Sequence, residues 1–335
     1  MLKTIVILLI GLLIIIAGIA VYGYVTLKKP QFTVTAPVEI YLKPGSGFQE
    51  IVGILKSNKL LRNETLFKIY MIASGKHKRI KAGYYLFDKP LSVIEFSDKL
   101  LQGQAVYVRV TIPEGSNLYD IETILMRNGL LEKIDYSNLL TSEQLLHEVS
   151  KIDADIKSLE GYLFPETYFL PKGETALTLL KMMIKEFKKK NLEKLKTRAS
   201  EMDTSVNAFV IMASLIEKES GYTQERSLIA SVFYNRLKIG MRLQCDPTVL
   251  YSFYVTGKFP ATLTREDLEI DSPYNTYRYA GLPPAPICNP GSNSLLAAMY
   301  PEQSNYLYFV SKGNGTHYFS KNLSEHIMAI SRYQK

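Results

Sequence analysis

The sequence contains no tryptophan and only two cysteines among 335 residues. Its four histidines, His77, His147, His317 and His326, are scattered, and none pairs with a Cys or Asp at ligand spacing. No metal site is expected from that pattern. No cofactor is expected either. There is no glycine-rich phosphate loop, and no Gly-x-Ser-x-Gly turn to present a nucleophilic serine. Cys245 and Cys288 do not by themselves establish a disulfide, because sequence carries no geometry. Low-complexity tracts are also missing. What is present is ordinary globular composition, 47% hydrophobic and 21% charged, with chain enough for two compact domains. The 23 tyrosines are unusual. A phenol ring suits sugar binding, but most tyrosines of any fold are simply half-buried.

The net charge of +8 draws a protein toward nucleic acid, anionic lipid or acidic polymers. No nucleic-acid motif accompanies it, so nucleic acid is not an expected partner. The densest basic run, Lys181 to Arg198, reads as one long helix with lysines mostly in water.

Thr4 to Leu27 carries no charge. That run is long enough to cross about 30 Å of hydrocarbon as a helix. It exceeds the roughly 7–15 apolar residues of a cleaved signal peptide. Residues 1–29 are therefore expected to be a retained transmembrane anchor. Orientation is not legible from charge, since Lys3 on one side nearly balances Lys28 and Lys29 on the other.

An internal repeat follows. Val38-Glu-Ile-Tyr-Leu-Lys-Pro-Gly45-Ser-Gly-Phe opens one copy, and Val108-Arg-Val-Thr-Ile-Pro-Glu-Gly115-Ser-Asn-Leu opens the other. Each reads as an alternating strand, a Gly-Ser turn and an amphipathic helix, with Ser46 and Ser116 as the expected N-caps. Between the copies lie a helix over Glu64–Ala73, a strand over Ala82–Phe87 and a helix over Ser92–Leu101. This strand-helix-helix-strand order resembles a LysM-like module. Such a module binds N-acetylglucosamine-containing glycans, or else it is a small packing domain; fold alone does not choose. The expected class is α+β: anchor 1–29, LysM-like module 37–105, second strand-helix unit and hinge 106–158, and a mixed helix/strand catalytic domain 159–335.

Val206 to Ser220 is an almost wholly apolar helix, expected at the centre of its domain. At about 100° per residue, Glu219 stacks over Met212, Leu215 and Ile216. Glu217 points nearly the other way, toward the polar edge, where an arginine can pair with it. A carboxyl on an apolar face should be harder to ionise, which suits a general acid at neutral pH. The competing reading has Glu219 paired with Arg226 or Arg236.

Beyond this helix come Ala230-Ser-Val-Phe-Tyr-Asn-Arg-Leu237, Gly240-Met-Arg-Leu-Gln244, Asp246-Pro-Thr248, Tyr274-Asn-Thr-Tyr277 and Gly281-Leu-Pro-Pro284, mostly read as loops. With Leu215-Ile-Glu-Lys-Glu-Ser220, and in this order, they resemble the endolytic murein transglycosylases of the MltG (YceG-like) type. The resemblance runs from the hydrophobic start to the C-terminus. It implies an inner-membrane protein, catalytic side outside the cytoplasm, with a single catalytic glutamate, the second of the triplet, here Glu219. It also implies contact with penicillin-binding synthases. Cys245 and Ser220 stand where threonine is frequent in the family.

The expected reaction is cleavage of the bond between N-acetylmuramic acid and N-acetylglucosamine in peptidoglycan glycan strands. One residue protonates the leaving oxygen and then helps the substrate's own C6 hydroxyl close onto C1, leaving a 1,6-anhydro end. Asn235, Gln244, Tyr274, Asn275 and Tyr277 are the candidates to hold substrate. Two other readings stand beside it. A hydrolytic muramidase would use Asp246 or Glu166 as second carboxylate. A membrane-tethered glycan-binding scaffold would have no chemistry at all.

Overall fold

A computed structural model describes residues 2–32, 37–103, 106–131, 135–219, 221–260 and 262–334. Ala105, expected to end the LysM-like module, and Ser220, expected to end the central helix, lie outside the described residues. The architecture is of the mixed α+β class, helices with four two-stranded sheets among the described residues. The chain divides into two units, Met1–Val108 with Phe169–Gly173, and Arg109–Tyr168 with Glu174–Lys335.

The first unit opens with α1 (Leu2–Lys28), a helix of 27 residues. Counted on the described residues, no helix is long and apolar enough to cross a membrane. Several α1 side chains, among them Leu2 to Leu8, fall outside that count, while the uncharged run in the sequence is continuous. The anchor is thus not a finding of the structure. After β1 (Pro30–Phe32) come β2 (Val38–Leu42), α2 (Phe48–Ser57), α3 (Glu64–Ala73), β3 (Gly83–Phe87), β4 (Leu91–Ser92) and α4 (Val93–Gln102). Strands β2 and β3 pair antiparallel, Val38 opposite Phe87 and Leu42 opposite Gly83. Strand alternation turns Ile40, Leu42, Tyr85 and Phe87 inward, against Ile51 and Leu55 of α2, Phe67 and Met71 of α3, and Phe96 and Leu100 of α4. The ends are capped locally: Asn63 accepts from the Leu66 N–H, and Ser92 forms a reciprocal box with Glu95.

The second unit begins inside β5 (Tyr107–Thr111) and continues through α5 (Leu118–Arg127), α6 (Tyr136–Leu140), α7 (Glu143–Ser150) and the first two residues of β6 (Thr167–Pro171), the partner of β5. Then come α8 (Ala176–Phe187), α9 (Glu193–Glu201), α10 (Val206–Glu219), α11 (Arg226–Lys238), α12 (Asp246–Val255), α13 (Ser292–Met299), β7 (Tyr308–Ser311), β8 (His317–Ser320) and α14 (Leu323–Tyr333). Helix α10 is the centre. Phe209 to Ile216 are buried without a break, and α10 packs on α9, α11, α12 and α13.

Three expectations are corrected here. The helix N-caps are Gly47 and Asn117, one residue later than Ser46 and Ser116. The Ser116 hydroxyl instead closes the turn by donating to the Pro113 carbonyl, and Asn117 builds the capping box with Asp120. The basic run is not one regular helix: α8 and α9 are joined by π-helical turns over Lys188–Leu192. Its lysines are not all solvated, since Lys188 reaches Glu148 and Lys190 reaches Glu166. Finally, the residues after β5 are not set apart from the catalytic part. Glu160, 1% exposed, accepts from the Leu118 N–H at 3.0 Å, the Tyr251 hydroxyl at 2.9 Å and the Asn289 amide at 3.0 Å. Asn289 in turn accepts from the N–H groups of Gly161 and Leu163 and donates to the Ser116 carbonyl. Gly161 has φ +91°, and a Cβ there would lie 2.6 Å from Pro286 and 2.7 Å from Val210, so glycine is required.

Candidate active site

The last turn of α10 separates its two glutamates. Glu217 turns inward: one carboxylate oxygen lies 2.8 Å from Arg226 Nη2, and the other accepts from the Gly291 N–H at 2.8 Å. Both side chains of the ion pair are almost fully buried, 4% and 7% exposed. Arg226 is therefore committed to Glu217 and is not a partner of Glu219.

Glu219 projects to the other side and lines a cleft of about 560 Å³. Among the described residues it forms no salt bridge. Its direct side-chain partner is the buried thiol of Cys245. Burial pushes the Glu219 carboxyl up from its ordinary value. The Cys245 hydrogen bond opposes this, Asp246 reinforces it, and His317 and Arg236 oppose it through charge. The residue as a whole is only half-buried. The two observations concern different things. The cleft keeps the residue reachable, while the protein packed round the carboxyl strips its hydration, and that is what governs ionisation.

Around Glu219 each wall is fixed by its own element. Arg236 of α11 donates to the carbonyls of Leu307 and Leu243, both at 2.6 Å, and so ties the chain entering β7 to the loop before α12. Gln244 takes φ +53°, and its N–H donates to the Thr276 carbonyl. Asp246 begins α12, with Pro247 at the first turn, and accepts from the Tyr277 hydroxyl. The β7–β8 hairpin supplies Tyr308 to Ser311 and His317, and α14 supplies Leu323, His326 and Ile330. His317 Nδ1 lies 2.8 Å from the Glu225 carboxylate. His326 stacks on Tyr308 at 5.0 Å, and burial and Arg236 depress its pKa.

Of the residues nominated from sequence, Glu219, Gln244 and Tyr277 come together at this cleft. Asn235, Tyr274 and Asn275 are not among its lining residues. The Asn235 amide donates to the carbonyls of Ser304 and Tyr306, both at 2.9 Å, and holds that loop to α11. Asn275 is fully buried, its amide donating to Leu268 and Ile270 and its oxygen accepting from the Tyr277 N–H. It shapes the loop that carries Tyr277. Tyr274 packs edge-on against Tyr251 at 4.9 Å, and burial pushes its hydroxyl up to about 12. Of the two carboxylates weighed as a hydrolytic partner, Asp246 lines the cleft. Glu166 does not, being ion-paired with Lys190, which lowers its pKa. Tyr306–Val310 and His317–Phe319 read as loops from sequence, whereas they carry the β7–β8 hairpin, and α14 adds a wall that sequence did not predict. Both had signals: Gly313-Asn314-Gly315 between two aromatic runs, and Asn322 three residues before Glu325.

The family profile described as the YceG-like family matches residues 40–332. The endolytic murein transglycosylase of Bacillus subtilis (strain 168) is 37% identical, over 96% of this chain and 91% of its own length. That of Streptococcus pneumoniae serotype 2 (strain D39) is 31% identical over 88% of this chain, which spans 58% of that protein. A crystal structure of a YceG-like protein from Listeria monocytogenes superimposes with a TM-score of 0.59 at 35% identity, covering 88% of this chain and 99% of that one. The chain belongs to the YceG-like family.

Proposed function

We propose that the chain is a peptidoglycan lytic transglycosylase that cuts glycan strands internally at the bond between N-acetylmuramic acid and N-acetylglucosamine. The single observation that carries this reading is Glu219, a desolvated carboxyl without an ionic partner on the wall of an accessible cleft. Such a group holds its proton more tightly than an exposed carboxyl and can deliver it to a leaving glycosidic oxygen. Once ionised, it draws the proton from the substrate's C6 hydroxyl as that oxygen closes on C1, and a 1,6-anhydro end results. The names of the related proteins support the same class. Gln244 and Tyr277 are the cleft residues to hold the sugar, with the donors that ease charge development.

The chain is anchored by α1 in the cytoplasmic membrane, with the catalytic unit outside the cytoplasm, and the β2–α2–α3–β3 module engages the glycan in the manner of a LysM-like domain. Penicillin-binding synthases are the protein partners this placement favours. A hydrolytic reading survives through Asp246, the other carboxylate on the cleft wall. Mass spectrometry of digested glycan strands tests the choice. Anhydro ends are expected. Reducing ends would make the chain a muramidase, and strands bound but not shortened would make it a scaffold.

A further inference from the structure

We propose that Thr276 is a positioning residue of this cleft, a buried clamp that fixes the turn from Gln244 to Asp246 so that the Cys245 thiol meets Glu219. The assignment rests on the transglycosylase reading. Its support is a closed set of hydrogen bonds. Thr276 is 2% exposed. Its carbonyl accepts from the Gln244 N–H at 3.2 Å, and its hydroxyl oxygen accepts from the Cys245 N–H at 3.0 Å. Its own N–H donates to the Thr248 hydroxyl oxygen at 3.3 Å. The hydroxyl oxygens of Thr248 and Thr276 lie 2.9 Å apart.

Counting hydrogens gives each bond its direction. A hydroxyl has one hydrogen and two lone pairs. The Thr248 hydrogen goes to the Cys245 carbonyl at 2.6 Å, since a carbonyl can only accept. The Thr276 hydroxyl therefore donates to Thr248, whose other lone pair takes the Thr276 N–H. The Thr248 hydroxyl is then fully engaged, and the Thr276 hydroxyl joins it to the Cys245 backbone.

The clamp holds a turn that is costly by itself. Gln244 has φ +53°, a region that a residue with a Cβ adopts only under constraint. The successive N–H groups of Gln244 and Cys245 are both taken by Thr276, so the turn relaxes only by breaking them. Gln244 lines the cleft. Cys245 caps α12 with its backbone and makes no side-chain bond to the helix, which leaves the thiol for Glu219. One residue on, the Tyr277 hydroxyl donates to Asp246 and closes the turn from its other end. Thr276 does not line the cleft, so it acts through Cys245 and Gln244 rather than on substrate.

The test uses the full chain in detergent with purified glycan strands. Thr276→Val keeps the branched shape, removes the hydroxyl and leaves the Cys245 N–H without its acceptor. It should fold, melt below wild type and lose about 10-fold or more in kcat. The Glu219 limb of its pH–rate profile should move upward by a fraction of a unit, because the thiol that favours the ionised carboxyl is no longer held. The charged groups that face Glu219, namely Asp246 of α12, Arg236 of α11 and His317 of β8, remain in the variant. Thr276→Ser restores the hydroxyl and should restore both rate and limb. In a Cys245→Ala background, Thr276→Val should shift the limb no further. A Thr276→Val enzyme with the wild-type rate and limb would overturn the assignment. So would limb shifts that add in the double variant, or a Thr276→Ser enzyme as impaired as Thr276→Val. A Thr276→Val chain that does not fold would make the hydroxyl a condition of the fold and overturn it as well. A wild-type protein that does not shorten strands would sink the transglycosylase reading together with this one.

Discussion

Two regions of the second unit each hold a carboxyl that burial pushes up. Glu160 is sealed, with donors from α5, α12 and the Asn289 loop spending its acceptor capacity, and its pKa rises to about 8. Glu219 has a thiol for a direct partner and an open cleft beside it. Raised pKa is therefore not what marks the active carboxyl. Access, together with unspent hydrogen-bonding capacity, separates a group that can reach substrate from one that stitches three elements together.

The largest expected effect falls on the open region. Glu219→Gln keeps shape and removes the transferable proton, so strand cleavage should fall by about 10²–10⁴-fold with the melting temperature nearly unchanged. Glu217→Gln, two residues away, should do the reverse. It leaves the buried Arg226 with only the distant Glu114 carboxylate, 3.9 Å away, and removing the close partner of a buried pair typically costs up to about 3–5 kcal/mol, while the folded fraction retains turnover. A digestion assay beside thermal melts compares them. An active Glu219→Gln, or a stable but inactive Glu217→Gln, would reverse the roles.

A smaller effect belongs to the sealed region. The Glu160 pKa is raised from 4.5 to about 8 on folding, so the folded state holds the proton more tightly. The corresponding stability is fully present below pH 4.5 and is lost as pH rises toward 8, by on the order of a few kcal/mol. Glu160→Gln cannot titrate. The stability difference between wild type and this variant, followed by denaturant unfolding, should shift in the variant's favour across that window and level off above it. A pH-independent difference would mean that Glu160 does not change its proton there.

The smallest effect sharpens the open region. Cys245→Ala removes the thiol that opposes the rise in the Glu219 pKa. Loss of a weak donor should move the Glu219 limb of the pH–rate profile upward by a fraction of a unit, without the collapse expected of Glu219→Gln. A limb that moves down would show that the thiol is not the stabilising partner.

Much of the local structure was legible. Helix α3 spans Glu64–Ala73, as expected, and α10 begins at Val206, where it was expected. Asp246-Pro247 lies among Gly- and Pro-marked loops in the sequence, yet proline suits the first turn of a helix, and α12 starts there. The hairpin and α14 build half of the cleft, and their sequence signals are short: one Gly-Asn-Gly turn between aromatic runs and one Asn322–Glu325 cap.

The sequence by itself determined that Glu217 and Glu219 take different sides of α10, because 100° per residue admits no other answer for positions two apart; it placed Glu217 at the polar edge, whereas the fold buries that side chain against Arg226. It determined the strand-helix repeat too, through alternation and turn residues. Only the tertiary structure decided what each side meets. Arg226 and Arg236 are both near in sequence and alike in charge, yet one closes on Glu217 and the other holds backbone carbonyls. Asn235 and Asn275 have the chemistry of sugar ligands, but backbone groups brought to them by the fold consume it. His317 lies 98 positions beyond Glu219, and only the packing of the β7–β8 hairpin brings it to the same cleft. Local spacing fixes direction along a helix, while partners distant in the chain are set by which surfaces bury one another.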